Sequence, residues 1–448
     1  MALGLDGHAN GAASALSVTA TLTTVNAGDF IVAQTTSFTN GIHAGMGAVT
    51  GGGLTWALRT RQQITATVAS DPLAYDEWVA YAPAALTSQV ITATQGSGGG
   101  VNYLTLEVYG VTGVDTDLVF DQNASLPAIS SFAAGGNANH TVSGISTTAA
   151  ATFEMGVLAT TAGGSGGAAA DAGFTLIDNV WNNTSYGGLQ TEYKVNASQL
   201  SGVSQNIFAS LSSITTNYHA VVDALVAAGS ARSGPKAVNF GAPTTGSLVT
   251  TLTPALPPSR VNGNLLLAQI NINNGTETVA WPGGWTVIEN WNTSNQTGSK
   301  AYRFVDGTET APVLTWANAA YCQAEITQIS GAKNPNPIGA SSHAGAQGTS
   351  VSCPTITTTG ANSLVINRSS TGETMPLWLP TPWRPRMSGG NSNFAWHIAD
   401  QYIPTSGTAS ASTASTLYAN DYYTNMTTEI LAPASAATTN PAIIFVGA

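Results

Sequence analysis

Gly28-Asp29-Phe30-Ile31-Val32-Ala33 returns 235 residues later as Gly263-Asn264-Leu265-Leu266-Leu267-Ala268. Each copy leaves a polar turn and enters a run of large apolar residues, which reads as the start of a β-strand. Phe153-Glu154-Met155-Gly156-Val157-Leu158 and Asn362-Ser363-Leu364-Val365-Ile366 are two further copies. A turn residue backed by Leu or an aromatic follows in all four: Gly53-Leu54, Gly173-Phe174, Gly284-Trp285 and Pro382-Trp383. Next come the alternating pairs Trp78/Ala80, Tyr193/Val195, Tyr302/Phe304 and Trp396/Ile398. Then follow Val90-Ile91-Thr92, Ile207-Phe208-Ala209, Val313-Leu314-Thr315 and Thr416-Leu417-Tyr418. The last segment sets an acid before an apolar pair: Glu107-Val108-Tyr109, Asp223-Ala224-Leu225, Glu325-Ile326-Thr327 and Glu429-Ile430-Leu431.

The spacing between the first and third copies falls steadily, from 235 at Gly28/Gly263 to 231 at Gly53/Gly284, 224 at Trp78/Tyr302 and 218 at Glu107/Glu325. Loops that shorten between conserved strands produce such a drift, whereas chance matches scatter. A period-two strand has one apolar face, and five strands alone leave that face wet. Two such units facing each other bury both faces. The expected fold is therefore all-β: two tandem β-sandwich, jelly-roll-like domains, each an internal duplication of about five strands. The first spans residues 1–229 with halves at about 12–116 and 136–228; the second spans 230–448 with halves at about 236–334 and 340–448. Residues 228–236 form a short linker, and Ile443-Ile444-Phe445-Val446 one extra strand. An immunoglobulin-like Greek key is the alternative winding; a jelly roll suits a duplicated chain better.

Composition excludes several functions. Charged residues make up 8% of the 448-residue chain, against about 25% in an average soluble domain. Ser, Thr, Asn, Ala and 48 Gly replace them, so the surface solvates itself through hydroxyls and amides. Ten Trp, 13 Tyr and 11 Phe in short apolar runs speak for packed cores. A net charge of −11 without basic clusters disfavours nucleic acid and anionic membranes. No apolar stretch approaches the roughly 20 residues of a membrane span. The start Met1-Ala2-Leu3-Gly4-Leu5-Asp6 lacks the basic and apolar regions of a secretory signal, which predicts synthesis in a cytoplasm.

Candidate sites are few. The acids Glu107, Asp223, Glu325 and Glu429 could serve as metal ligands or as a carboxylate pair for glycoside hydrolysis; the plainer expectation is outward-facing residues beside loops. The histidines His8, His43, His140, His219, His343 and His397 have no metal-ligand spacing and read as surface or turn residues. Cys322 and Cys353 read as buried strand thiols, with one optional bridge. No Gly-x-Ser-x-Gly elbow stands at a strand-to-helix turn, and the glycine loops 96–100 and 164–167 lack the Lys and helix of a phosphate cradle. Neither catalytic, cofactor nor metal residues are expected. Trp78, Tyr193, Tyr302, Trp396, Phe174 and Trp285 read as core. The loop Trp378-Leu379-Pro380-Thr381-Pro382-Trp383-Arg384-Pro385-Arg386 is richer than its counterparts. It offers Trp378, Arg384 and Arg386 for a partner or glycan contact, with local loop packing as the alternative and Trp383 buried.

Asn262-Gly263-Asn264-Leu265, Pro282-Gly283-Gly284-Trp285, Ala301-Tyr302-Arg303-Phe304, Glu325-Ile326 to Ser330-Gly331 and Pro335-Asn336-Pro337-Ile338 follow one another in an order that resembles the jelly-roll modules of tail, fibre and head-decoration proteins of tailed bacteriophages, and of some bacterial surface proteins. Asn26-Ala27-Gly28-Asp29, Trp78 to Pro83 and Gly110 to Asp115 look like the same module. The likeness rests on turns and core positions and carries over no functional residue. It implies a non-enzymatic structural protein of a virion, partnered by other virion proteins and by copies of itself. A carbohydrate-binding or adhesive surface protein is the alternative, and a β-sandwich glycoside hydrolase or lyase a third.

Overall fold

The computed structural model describes residues 1–39, 45–64, 72–96, 102–132, 140–162, 169–182, 186–208, 217–229, 234–293, 295–372, 377–390, 394–409 and 413–433. The extra strand expected at 443–446, most of both glycine loops, His43 and linker residues 230–233 lie outside them.

The chain is all-β, and its plan is legible in the first repeat. Eight strands follow in order: β1 (Gly4–Ser14), β2 (Ser17–Leu22), β3 (Asp29–Thr39), β4 (Met46–Gly51), β5 (Ala57–Ile64), β6 (Leu73–Ala82), β7 (Gln89–Gln95) and β8 (Asn102–Thr112). They form a five-stranded antiparallel sheet, β1-β8-β3-β6-β5 (sheet I), and a smaller one, β2-β7-β4. This interleaving of first, last, third and sixth strands opposite second, seventh and fourth is jelly-roll order.

The same large sheet occurs three more times. Sheet II runs Ala128–Phe132, Tyr218–Val226, Thr152–Ala162, Tyr186–Asn196, Thr175–Trp181. Sheet III runs Lys236–Phe240, Leu314–Ser330, Leu265–Ile272, Thr297–Phe304, Thr286–Asn292, with Thr244–Leu252 also on the long second strand. Sheet IV runs Ile338–Ser352, Thr413–Ile430, Ser363–Thr371, Ala395–Ile403, Arg384–Gly390. Ladder registers align the copies residue by residue: Phe30 lies opposite Val111, Phe153 opposite Leu225, Leu265 opposite Ile329 and Leu364 opposite Ile430. The turn into the central strand needs a left-handed residue, supplied by Gly28, Gly263 and Asn362 with φ of 86°, 84° and 55°.

Packing goes beyond the expectation of one sheet per half. In β2, Val18, Ala20 and Leu22 point inward and alternate with exposed Ser17, Thr19 and Thr21. They pack with Ile91 and Ala93 of β7 against Ile31, Ala33, Trp78, Leu104 and Leu106 of sheet I, so the repeat is a sandwich in its own right. The opposite face of sheet I carries Phe30, Val32, Val79, Tyr109 and Val111, which pack on Phe153, Met155, Ile177 and Leu225 of sheet II. Sheets III and IV meet in the same way through Leu265, Leu267 and Ile329 against Leu364, Ile366, Met387, Ile398 and Ile430. Every residue from Asp29 to Phe38 is consequently buried. Such burial is the habit of a strand covered on both faces.

The core reading of the aromatics holds for Trp78, Trp285 and Trp396, which are buried, and for Trp383. Tyr193 and Tyr302 are half-buried against the layers between sheets. Phe174 is half-buried, with the Lys194 ammonium 5.7 Å from its ring centre. Cys322 and Cys353 are buried and form no disulfide, so the optional bridge is not made.

Candidate functional site

The four acids of the last segment are not outward-facing; all are buried. Nor do they share one ladder position. Glu107 and Glu325 do match, opposite Gln34 and Gln269, but Asp223 lies opposite Met155 and Glu429 opposite Val365. Layers between paired sheets have no water to solvate a carboxylate, so each acid needs a partner there. Asp223 receives a two-pronged contact from Arg59 at 2.9 and 3.3 Å. Glu325 is 2.5 Å from Arg368 Nε across the layer between sheets III and IV. Glu429 accepts from the N–H groups of Ala340, Thr359 and Gly360 and the hydroxyl of Ser363. These three are structural.

Glu107 differs. Its side chain is fully buried, and neither carboxylate oxygen has a hydrogen-bond partner. Burial pushes its carboxyl up to about 7. Beside it stands His8 on β1, where a bulge between Leu5 and His8 sets His8 opposite Tyr109 and Asn10 opposite Glu107. From sheet II comes Asp178, the first residue after a bulge in Thr175–Trp181. His8 Nδ1 is 3.5 Å from Glu107 Oε1 and 3.5 Å from Asp178 Oδ2. Asn10 donates to Asp178 Oδ2 at 2.5 Å. The Glu107 carboxylate, against the opposing effect of burial, raises the His8 imidazole above its ordinary value. An imidazole nitrogen and two carboxylates thus converge at the open seam between sheets I and II, all ligand atoms within 4.8 Å of one another.

Sheets III and IV repeat this seam with other side chains. Glu289 follows the equivalent bulge in Thr286–Asn292. Ser341 and His343 of sheet IV occupy the positions of His8 and Asn10, because Ser341 follows the matching bulge after Ile338. Ser341 donates to Glu289 Oε2 at 3.3 Å, and the His343 ring contacts Glu289 Oε1 while stacking on Trp291 at 4.4 Å. Here the third group is a cation, the fully buried Lys300, 3.2 Å from Glu289 Oε2. Burial opposes ionisation of Glu289, but Lys300 and His343 outweigh it and hold the carboxyl below its usual range.

Of the histidines expected at the surface, His140, His219 and His397 are buried instead. Each keeps a ring nitrogen on a local acceptor or hydroxyl: Ile207 O, Ser131 Oγ and Ser388 Oγ respectively. Arg384 is buried with its Nε 2.6 Å from Asp400 Oδ1, and Arg386 Nε is 2.9 Å from Asp400 Oδ2. Trp378 is half-buried and packs against the core of the first repeat. The structure does not bring these three to one open surface. A separate cleft of about 440 Å³ is lined by Asn273, Asn274, Gly275, Asn295 and Tyr422.

No sequence signal marks the seam. His8 and Glu107 stand on different strands of one repeat and Asp178 belongs to the next, 168 residues beyond Asn10. Only the pairing of two sheets joins them. Among the described residues no helix is long and apolar enough to cross a membrane. Comparison with known proteins finds no matching family model, no similar curated protein and no similar solved structure.

Proposed function

We propose that this chain is a non-enzymatic structural protein of a bacteriophage particle, displayed as a decoration, fibre or spike subunit and assembling with copies of itself. The observation that supports this reading is the use of its few ionisable groups. Arg59 with Asp223 and Arg368 with Glu325 are spent holding sheet to sheet, and Lys300, paired with Glu289 on its own sheet, reaches Ser341 and Thr427 of the facing one. What remains outside is a surface rich in hydroxyl, amide and glycine, on a stack of jelly-roll repeats suited to lateral contact. Antibody raised against the purified chain, applied to phage particles from its source and followed by electron microscopy, tests it. Labelled particles are expected; particles free of both label and the chain's peptides by mass spectrometry would remove the proposal.

The amide-lined cleft favours one second reading, a glycan-binding surface protein. Asn273 and Asn295 bring side-chain amides to its lining and Tyr422 an aromatic residue, while the Asn274 amide is held by Thr276 and Glu277. A glycan array probed with wild type and Tyr422→Ala separates the two readings, since a purely structural subunit leaves the array blank.

A further inference from the structure

We propose that His8, Glu107 and Asp178 bind a divalent transition-metal ion of the zinc class, which clamps sheet I to sheet II. Three observations carry this, independently of the proposed function.

The first is spacing. Both contacts of His8 Nδ1, to Glu107 Oε1 and Asp178 Oδ2, measure 3.5 Å. That is beyond a good N–H···O hydrogen bond. Ligands about 2.1 Å from a tetrahedral ion stand about 3.4 Å apart, so the contacts match the edge of a coordination polyhedron.

The second is the orphaned acid. Glu107 is buried, with Oε2 lacking any hydrogen-bond partner and Oε1 meeting only the His8 ring at 3.5 Å, a costly arrangement unless something more positive is held there. One imidazole with two carboxylates suits zinc or manganese better than magnesium or calcium. Asn10 supplies the outer-shell hydrogen bond that orients Asp178. With 39% of the His8 side chain exposed, the cluster is open to water from that side.

The third is the sister seam. Directly across from Glu289 stands Lys300, whose ammonium reaches Glu289, Ser341 Oγ at 2.6 Å and the carbonyls of Ser342 and Thr427. Directly across from Asp178 the same position is Thr191, whose buried Oγ1 has no hydrogen-bond partner. One seam therefore carries its cation covalently; the other has a second carboxylate and no ammonium opposite its acid. The metal ion takes the part that Lys300 plays between sheets III and IV.

The test is isothermal titration of untagged full-length chain with zinc, manganese, calcium and magnesium chlorides at pH 7.5, paired with thermal melts. One zinc ion per chain is expected, with calcium and magnesium at least tenfold weaker. Asp178→Asn and Glu107→Gln should each weaken zinc at least tenfold, while Glu289→Gln should leave the affinity unchanged. Thr191→Lys, which imports the ammonium, should lose zinc binding and melt no lower than metal-free wild type. Absence of saturable zinc or manganese binding in the wild type overturns the proposal, as does binding that both Asp178→Asn and Glu107→Gln leave intact.

Discussion

In three of the four repeats a buried carboxylate accepts the backbone N–H groups of the turn leading into the central strand. Asp6 serves Val25 and Asn26, Asp121 serves Thr148 and Ala149, and Glu429 serves Thr359 and Gly360. In the third repeat Asn239 turns its amide round and donates to the carbonyl of Pro258, where adjacent prolines leave fewer N–H groups to satisfy. Glu429 reaches the turn from Thr413–Ile430, the counterpart of β8 rather than of the β1 strand that carries Asp6. It can do so because Gly339 leaves room: a Cβ on Gly339 would collide with the Glu429 carboxylate. Glu429→Ala strands several buried donors and is expected to cost about 3 kcal/mol. Gly339→Asp in the same chain should recover at least half of that, while Gly339→Asp alone destabilises. Urea denaturation of the three variants checks the swap.

Buried histidines set the acid limit at the same scale. Burial drives His219 down to about 4 and His397 to about 3, so both are neutral in the folded chain at neutral pH. Unfolded, each titrates near 6.5. The unfolded chain therefore binds more protons below that value, and the stability they confer above pH 6.5 is lost as pH falls toward 3. Glu192 acts with the opposite sign: burial raises it to about 8, so the stability held below its unfolded value is lost as pH rises from 4.5 through 8. Chemical denaturation across pH 4–8 should show His219→Gln flattening the acid limb and Glu192→Gln flattening the other. An unchanged slope in either variant would show that its ring or carboxyl keeps an ordinary value.

At the scale of the strand, the order of elements was legible in the sequence, but the face each residue takes was less so. The shift of 235 at Gly28/Gly263 and of 218 at Glu107/Glu325 agrees with the ladders, which set Phe30 with Leu265 and Val111 with Ile329. Trp78, however, lies opposite Ala33, and the third repeat has Ala301 opposite Ala268. The residue matched to Trp78 is thus Ala301, not Tyr302. A slip of one turns a side chain to the other face, so Trp78 fills the repeat's own core while Tyr302 faces sheet IV. Large residues on either face satisfy the same alternating pattern, which is why spacing alone cannot choose. The small sheets were hidden for another reason: their strands are as short as Ile356–Thr357 and Thr408–Ala409, or run on into longer ones as in Leu314–Ser330. Also invisible was the bulge that every fifth strand shares, at Leu58/Thr60, Leu176/Asp178, Val287/Glu289 and Pro385/Met387. It aims Asp178 and Glu289 at their seams. Beside it, tryptophan rings cover glycines on the neighbouring strand: Trp181 over Gly188, Trp291 over Gly298 and Trp396 over Gly389. A methyl at Gly298 would lie 2.5 Å from the Trp291 ring. Gly298→Ala should push that ring off His343 and cost about 1–3 kcal/mol. A red-shifted, more quenchable tryptophan emission with a lower melting temperature is the expected record; Trp291→Leu in the same chain should remove most of the penalty.

For the whole molecule, the question is how the outer repeats meet. The edge strand β5 of sheet I abuts the edge strand Arg384–Gly390 of sheet IV, where Ser388 N donates to Trp56 O and Leu58 N to Ser388 Oγ, both at 3.0 Å. Arg59, already held by Asp223, also donates to Thr381 Oγ1 at 3.2 Å, and Thr381 in turn donates to Leu126 O at 2.6 Å. Trp378 completes the contact by packing on the first repeat's core. The loop that stood out in the sequence for its Trp, Pro and Arg thus bridges the first and last repeats, and the two edge strands partly cover each other where they abut. Such a contact couples the unfolding of the parts it joins. Trp378→Ala and Thr381→Ala each remove one side chain from it without touching a sheet ladder, and together should cost about 2 kcal/mol of coupling. Calorimetry should then show the single transition of the wild type broadening or dividing in the double variant, with the upper component near the wild-type temperature. A double variant that still melts in one sharp step, merely at lower temperature, would mean that the four sheets cooperate through the layers between them and that the bridge adds stability alone.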